Sequence, residues 1–173
     1  MRGVLILAGA VLIGIFLILM QRGERRGGPG GGNAVEVDSP APPFQLQDLD
    51  GNTVSLADFQ GKIVMLDFWA TWCGPCRMTM PLLEELQQEH PDDFTLLAIN
   101  LGEPLDLVLP YVKRQGIHSP VLLDIDNSVG SAYGSHSIPM QVIIDQKGTL
   151  RFIQTGFYAG MKEDLWEEIR KLQ

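Results

Sequence analysis

The only two cysteines of the chain, Cys73 and Cys76, are separated by Gly-Pro. The residues before them, KIVMLDFWA, form a continuous apolar stretch rich in branched and aromatic side chains, which predicts a buried central strand. The segment CGPCRMTMPLLEELQQEH predicts a helix with Pro75 in its first turn. A cysteine at such a junction lies beside unpaired N–H groups and the positive end of the helix dipole, which favour its thiolate.

The spacing of the pair favours disulfide exchange, because two residues three apart share a helical face and can form a disulfide in the first turn. We expect Cys73 to attack a partner disulfide and Cys76 to resolve the mixed disulfide. Two buried core cysteines, half of a zinc site and a structural disulfide are the alternatives. Zinc requires four ligands, and His90, His118 and His136 are scattered without ligand spacing. A structural disulfide that closes so short a loop would stabilise little.

An acidic residue lies inside the predicted central strand. Asp67 precedes Cys73 by six residues, and burial of a lone carboxyl group there should raise its pKa towards neutrality. The functional interpretation is a general base for Cys76, and the alternative is a buried acid satisfied by hydrogen bonds.

The elements that would hold these residues alternate along the chain. FQLQ and TVSL flank DLDGN, whose Asp-Gly pair predicts a small N-terminal hairpin. After it the pattern predicts the order β-α-β-α-β-β-α, with a short additional helix near VGSAYG. This order indicates an α/β domain with a mostly parallel sheet, helices on both faces, and a final antiparallel hairpin turned at residues 145–148.

The start of the chain differs from the rest in composition. Residues 3–20 form an uninterrupted apolar run of 18 residues, followed by QRGERRGGPGGG, which predicts an uncleaved transmembrane helix. We therefore expect an anchor at residues 1–21, a flexible Gly/Pro-rich linker at 22–40 and a folded domain at 41–173. Residues 1–34 carry a net charge of +3, which leaves −11 for the rest of the chain and argues against nucleic acid as a partner.

Two arguments about membrane orientation disagree. Arg2 precedes the apolar run whereas Arg22, Arg25 and Arg26 follow it, so counting of positive charges would place the domain inside the cell. A tethered two-cysteine domain has its obvious use outside, where disulfides persist. We expect the domain on the outer face of the cell membrane.

The segment DFWATWCGPC resembles the active-site segment of thioredoxins, and the similarity extends over residues 40–173. Anchor, linker, hairpin and the segment AINLGEP further resemble the membrane-tethered thioredoxin-like proteins of the TlpA and ResA type, which are related to the AhpC/TSA and redoxin proteins. The resemblance implies a thioredoxin fold with an N-terminal β-hairpin extension and no bound cofactor or metal. It also implies reduction of protein disulfides outside the membrane, notably in apocytochrome c maturation, with electrons from a DsbD- or CcdA-type membrane protein.

The resemblance assigns a substrate-binding surface. SHSIPMQVIID matches the cis-proline loop that faces the cysteine pair, so Ile138 and Pro139 should line the groove for the substrate backbone. Trp72 would provide a flat surface beside the pair, with Gly74 and Pro75 between the cysteines. The Gly-Pro pair and the isoleucine before the proline are those of thioredoxin, which favours a reductant over an oxidant.

The resemblance also bears on the acids. Asp67 matches the buried aspartate of thioredoxins, although TlpA-type proteins more often carry an uncharged residue there. Glu103, in NLGEP, matches the acid that ResA-type proteins hold near the cysteines, and we expect it to assist proton transfer. Thr79 departs from the family, which often has an acid at that helical position.

Two rival functions share the expected fold. A redoxin-type peroxidase needs a threonine and a proline before one peroxidatic cysteine; Thr71 is close, but no proline precedes it in DFWATWC. An Sco-like copper chaperone would use two thiolates and a histidine such as His136, but its cysteines are usually separated by three residues rather than two.

Overall fold

The computed structural model describes residues 35–173. In this part the strands are β1 (Gln45–Asp48), β2 (Thr53–Ser55), β3 (Val64–Trp69), β4 (Thr95–Leu101), β5 (Val121–Asp124), β6 (Met140–Ile144) and β7 (Leu150–Thr155). The α-helices are α1 (Cys76–Glu89), α2 (Leu105–Gln115), α3 (Ser128–Ala132) and α4 (Met161–Arg170), and a 3-10 helix spans Leu56–Phe59.

The strands form one mixed sheet in the order β2-β1-β5-β4-β3-β6-β7. Strands β3, β4 and β5 are parallel neighbours, whereas β6 runs antiparallel to β3 and β7 antiparallel to β6. β1 pairs antiparallel with both β2 and β5 at the other end of the sheet. The predicted thioredoxin fold, a mixed sheet flanked by helices, is confirmed.

Helices cover the sheet unequally. α1, α2 and α4 pack on one face of the sheet through Met65, Trp69 and their neighbours. α3 and the N-terminal segment cover the other face, through Leu66 and Phe68 of β3. Every residue of β3 is buried, which explains why this strand is apolar on both faces, with Asp67 as its one charged residue, rather than alternating.

The functional segments meet at one edge of the sheet. β3 and β4 are parallel, so the chain leaves both at the same edge, towards Cys73 and Glu103 respectively. β6 is antiparallel to β3 and pairs Met140 with Phe68, so Pro139 lies at this edge as well.

The helix after β3 begins later than the sequence predicts. The sequence places its start at Cys73, whereas α1 begins at Cys76 and Pro75 is its N-cap residue. Residues 71–75 form a turn in which the Cys73 N–H donates to the Ala70 carbonyl. Pro75 fits its position because it needs no N–H partner and its φ of −59° suits a helix start.

The segment that leads into the domain is held against β7. Residues 38–40, part of the predicted linker, hydrogen-bond to the start of this strand: the Asp38 N–H donates to the Leu150 carbonyl, and the Leu150 N–H donates to the Ser39 carbonyl. Within residues 35–173 no helix is long and apolar enough to cross a membrane. The predicted anchor at 1–21 and residues 22–34 of the predicted linker lie outside the described residues.

Candidate active site

Cys73 and Cys76 form a disulfide at the N-terminus of α1, with their Cα atoms 5.3 Å apart. The backbone N–H of Cys76 donates to the Sγ atom of Cys73 at 3.2 Å. Hydrogen bonds from the first amides of a helix stabilise a thiolate, so this contact favours the ionised form of Cys73 once the pair is reduced.

The disulfide is almost fully buried, whereas a neighbouring side chain is exposed. Cys73 and Cys76 are 3% and 2% exposed, whereas the neighbouring Trp72 is 70% exposed. Trp72 lies along a cleft of about 420 Å³ beside the pair. The cleft is also lined by Leu101, Gly102, Asn127, Ser135, His136, Ser137 and Ile138.

The loop before β6 has the geometry that the resemblance implies. The Ile138–Pro139 peptide bond is cis. Ile138 packs against the apolar cluster that contains both cysteines. The Pro139 carbonyl accepts a hydrogen bond of 2.8 Å from the Gly156 N–H, which joins this loop to the end of β7.

Asp67, in the central strand β3, is fully buried. Burial raises the pKa of Asp67 to about 7, while a hydrogen bond from Gln141 lowers it. The Gln141 Nε2 atom donates to Asp67 Oδ1 at 2.6 Å. The raised pKa that the sequence predicts for this carboxyl is confirmed, and its physical cause is desolvation.

Glu103 is 6% exposed and fastens the cysteine loop to the end of β4. Its Oε2 atom accepts from the Thr71 N–H at 2.7 Å and from Asn100 Nδ2 at 2.9 Å. Its Oε1 atom accepts from the Thr71 hydroxyl at 2.5 Å. Because Thr71 is two residues before Cys73, this carboxylate holds the segment that carries Cys73.

The tertiary structure adds residues that the sequence analysis did not identify. Thr71 and Asn100 are the hydrogen-bond donors to Glu103, and Gln141 is the donor to Asp67. The one available signal for Gln141 was a carboxamide inside the apolar strand MQVII, where a polar side chain needs a partner.

The structure also shows where the residues that the two rival functions would need are located. The Thr71 hydroxyl, which a peroxidase would use at its cysteine, donates to Glu103 instead. His136 lines the cleft beside Trp72. Within residues 35–173 no three His, Cys, Asp or Glu side chains are grouped as a metal ion would require.

Comparisons with known proteins agree with this geometry. The model of the AhpC/TSA family matches residues 37–153. The thiol-disulfide oxidoreductase ResA of Geobacillus thermodenitrificans is 38% identical over 141 residues, which are 81% of this chain and 80% of the relative. ResA of Bacillus cereus is 31% identical over 169 residues, covering 97% of this chain and 91% of the relative.

A solved structure shows the same similarity. A thiol:disulfide interchange protein of the thioredoxin family from Chlorobium tepidum superposes with a TM-score of 0.68 at 30% identity. The match covers 80% of this chain and 99% of that protein. Proteins named for disulfide exchange therefore share both sequence and fold with this chain.

The buried Asp67 predicts a pH-dependent stability. Between about pH 4 and pH 7 the folded chain holds a proton on Asp67 that the unfolded chain has released, so the free energy of unfolding falls as the pH rises. Asp67→Asn should remove this fall, which amounts to on the order of 4 kcal/mol for a shift of about three units. Urea unfolding from pH 4 to pH 8 measures the difference between the two proteins.

A matched substitution separates burial from general charge effects. Asp92 is exposed in the turn after α1, and Asp92→Asn should leave the pH dependence as in the unmodified protein. If the curves of Asp67→Asn and the unmodified protein run parallel across the whole range, Asp67 is not the source of the dependence.

Proposed function

The chain belongs to the AhpC/TSA family and is a thiol-disulfide oxidoreductase, and from this premise we propose that it reduces protein disulfides outside the cytoplasmic membrane. The observation that carries the proposal is the hydrogen bond that the Cys76 N–H donates to Cys73 Sγ. The same two cysteines form a disulfide. One sulfur is thereby stabilised as a thiolate, and the other lies within reach to resolve it.

The reaction follows from this asymmetry. In the reduced protein the Cys73 thiolate attacks one sulfur of the partner's disulfide, and the other partner sulfur leaves as a thiolate. Cys76, deprotonated by Asp67, then attacks Cys73 Sγ and releases the second partner sulfur. The partner gains two electrons, and the chain ends in the disulfide seen in the structure.

The edge of the sheet that bears the cysteines suits a polypeptide partner. Trp72, Gly74 and Pro75 would contact the partner on one side of the pair, and Ile138 and Pro139 on the other. Exposed large apolar side chains lie in the segments that follow β3, β4, β5 and β7, all at this edge. They are Trp72, Leu105, Leu107, Ile125 and Phe157.

Glu103 has two tasks in this proposal. Its hydrogen bonds to Thr71 and Asn100 keep the cysteine loop in place during both exchange steps. As the acid that resembles the one in ResA-type proteins, it also assists proton transfer at the pair.

The proposed direction of electron flow rests on the resemblance of the residues around the pair to those of thioredoxin. Gly74, Pro75 and Ile138 are those of thioredoxin, a strong reductant at about −270 mV. A reductant outside the membrane needs a supply of electrons, for which a DsbD- or CcdA-type membrane protein is the proposed donor. Apocytochrome c is the proposed substrate, on the resemblance to TlpA- and ResA-type proteins.

The proposed location rests on the start of the chain. The apolar run at residues 3–20 is long enough to span a bilayer, and the Gly/Pro-rich residues after it would tether the domain. We place the domain on the outer face, because disulfides form and persist there.

Single-cysteine variants test the two roles. With a disulfide-containing unfolded protein, Cys76→Ser should accumulate a mixed disulfide through Cys73, because the resolving thiol is missing. Cys73→Ser should accumulate little, because Cys76 lacks the stabilised thiolate. Non-reducing electrophoresis and mass spectrometry measure both adducts, and equal trapping by the two variants would contradict the assignment.

The reduction potential of the pair decides the direction of exchange. Tryptophan fluorescence in dithiothreitol redox buffers reports the pair through Trp72, and we expect a potential below roughly −230 mV. A potential of about −120 to −180 mV, the range of DsbA and protein disulfide isomerase, would make the protein an oxidase or isomerase and remove the proposed cytochrome substrate.

A fusion tests the membrane orientation. A reporter enzyme that folds only outside the cytoplasm, joined after Gln173, should be active, while a reporter that requires the cytoplasm should be inactive. The reverse pattern would place the domain inside, as the count of arginines around the apolar run suggests.

A further inference from the structure

Gln141 lies directly opposite Asp67 on the neighbouring strand. The two residues are paired in the register of β3 and β6, and both side chains are fully buried. Gln141 Nε2 donates to Asp67 Oδ1 at 2.6 Å. The carboxamide thus binds the carboxyl group that the proposed function makes the base for Cys76.

The other two oxygens of this pair have no partner. Within residues 35–173 no hydrogen-bond donor reaches Asp67 Oδ2 or Gln141 Oε1, although both are buried. Buried polar atoms in native proteins are rarely left unpaired, so the two orphans call for an explanation. A proton on Oδ2 supplies one, because the resulting O–H can be donated to Oε1 while Nε2 still donates to Oδ1. Both oxygens are then satisfied in the protonated acid.

We propose that Gln141 is the positioning residue of Asp67, holding Oδ1 in both protonation states so that Oδ2 is the oxygen that takes and releases the proton of Cys76. This inference rests on the proposed function, in which Asp67 is the base for Cys76. In the resolving step the proton leaves the Cys76 thiol for Oδ2, and the Cys76 thiolate then attacks Cys73 Sγ. The departing partner thiolate takes a proton from Asp67 or from solvent.

Among the side chains around Asp67, Gln141 is the one that hydrogen-bonds its carboxyl group. In the described part of the chain no charged side chain acts on the carboxyl; burial raises its pKa, and the Gln141 bond lowers it. The hydrophobic cluster on this face that contains both cysteines also contains the titratable Tyr111 of α2. α1 contributes the buried Glu84, whose carboxylate accepts hydrogen bonds from two backbone N–H groups. The apolar residues that the neighbouring elements contribute to this face include Met65 and Trp69 from β3, Ala98 from β4, Met80 and Leu83 from α1, and Leu165 from α4.

The position of Gln141 also relates the acid to the substrate groove. Gln141 follows Pro139 by two residues, and β6 begins between them at Met140. The residue that orients the base and the residue that lines the groove are therefore carried by one short segment.

Removal of the carboxamide tests the inference in the full chain. Gln141→Leu removes the donor from ionised Asp67, so the titration of this carboxyl should move upwards by about 1 to 2 pH units, the size of a hydrogen bond to a charged group. The loss of Oε1 acts in the opposite direction but is smaller, because a bond to a neutral acid is weaker than one to a carboxylate. The infrared absorption of the protonated carboxyl, identified by its absence in Asp67→Asn, follows the titration.

Exchange kinetics provide the second readout. At pH 6 the resolving step of Gln141→Leu should be roughly 10- to 100-fold slower, because the ionised fraction of Asp67 falls by that factor, and the rate should recover on the alkaline side of the shifted titration. In the Asp67→Asn background the same change should have no further effect on the pH profile. A residue with a merely structural role would change stability without moving the profile along the pH axis.

Two further variants make the test specific. Gln141→Met keeps an unbranched side chain without the amide and should reproduce the shift if Gln141→Leu folds poorly. Gln154→Leu makes the same substitution one strand away, at the β7 residue paired with Gln141, and should leave the Asp67 titration unchanged.

The outcomes separate this inference from the proposed function. An unchanged Asp67 titration in both Gln141 variants would overturn the positioning role. A shifted titration supports it, and if the exchange rate then stays unchanged, it is the role of Asp67 as base that fails. Absence of disulfide exchange in the unmodified protein would instead remove the proposed function.

Discussion

The hydrogen bond from the Cys76 amide to Cys73 Sγ is the contact on which the rest of the structure depends. It exists because a fully buried strand delivers the chain to the edge of the sheet and a helix starts there. The next N–H groups of this helix donate to the Gly74 and Pro75 carbonyls, whereas the Cys76 N–H donates to the sulfur. Pro75 ends the turn without an N–H group that would require a hydrogen-bond acceptor.

Two carboxyl groups support this contact in different ways. Glu103 accepts hydrogen bonds from the loop before the nucleophile and from β4, so it ties the nucleophile's segment to the sheet. Asp67 lies within the sheet, where burial raises its pKa to about 7 and Gln141 is its hydrogen-bond donor. One acid therefore ties the cysteine loop to the sheet, and the other is a buried carboxyl whose pKa lies near neutrality.

Much of this fold was predictable from local patterns. The segments VLLD and LDLVLPYVKRQ coincide with β5 and α2, and the turn at 145–148 joins β6 to β7 as its residues indicate. Periodicity and turn residues carry such information because they report local conformation and the side of an element that is buried. The start of α1 was predicted three residues early, since nothing in CGPC distinguishes a turn before a helix from the first turn of the helix itself.

The sequence by itself determined the chemistry of this protein: two cysteines three residues apart at a strand-to-helix junction, and an acid buried in the strand before them. Only the tertiary structure decided which polar groups meet. Gln141 reaches Asp67 from 74 residues away, and Thr71 reaches Glu103 from 32 residues away. These contacts depend on strand order and register, which bring distant segments side by side. Local patterns predict that a buried polar group needs a partner, but they do not identify the residue that provides it.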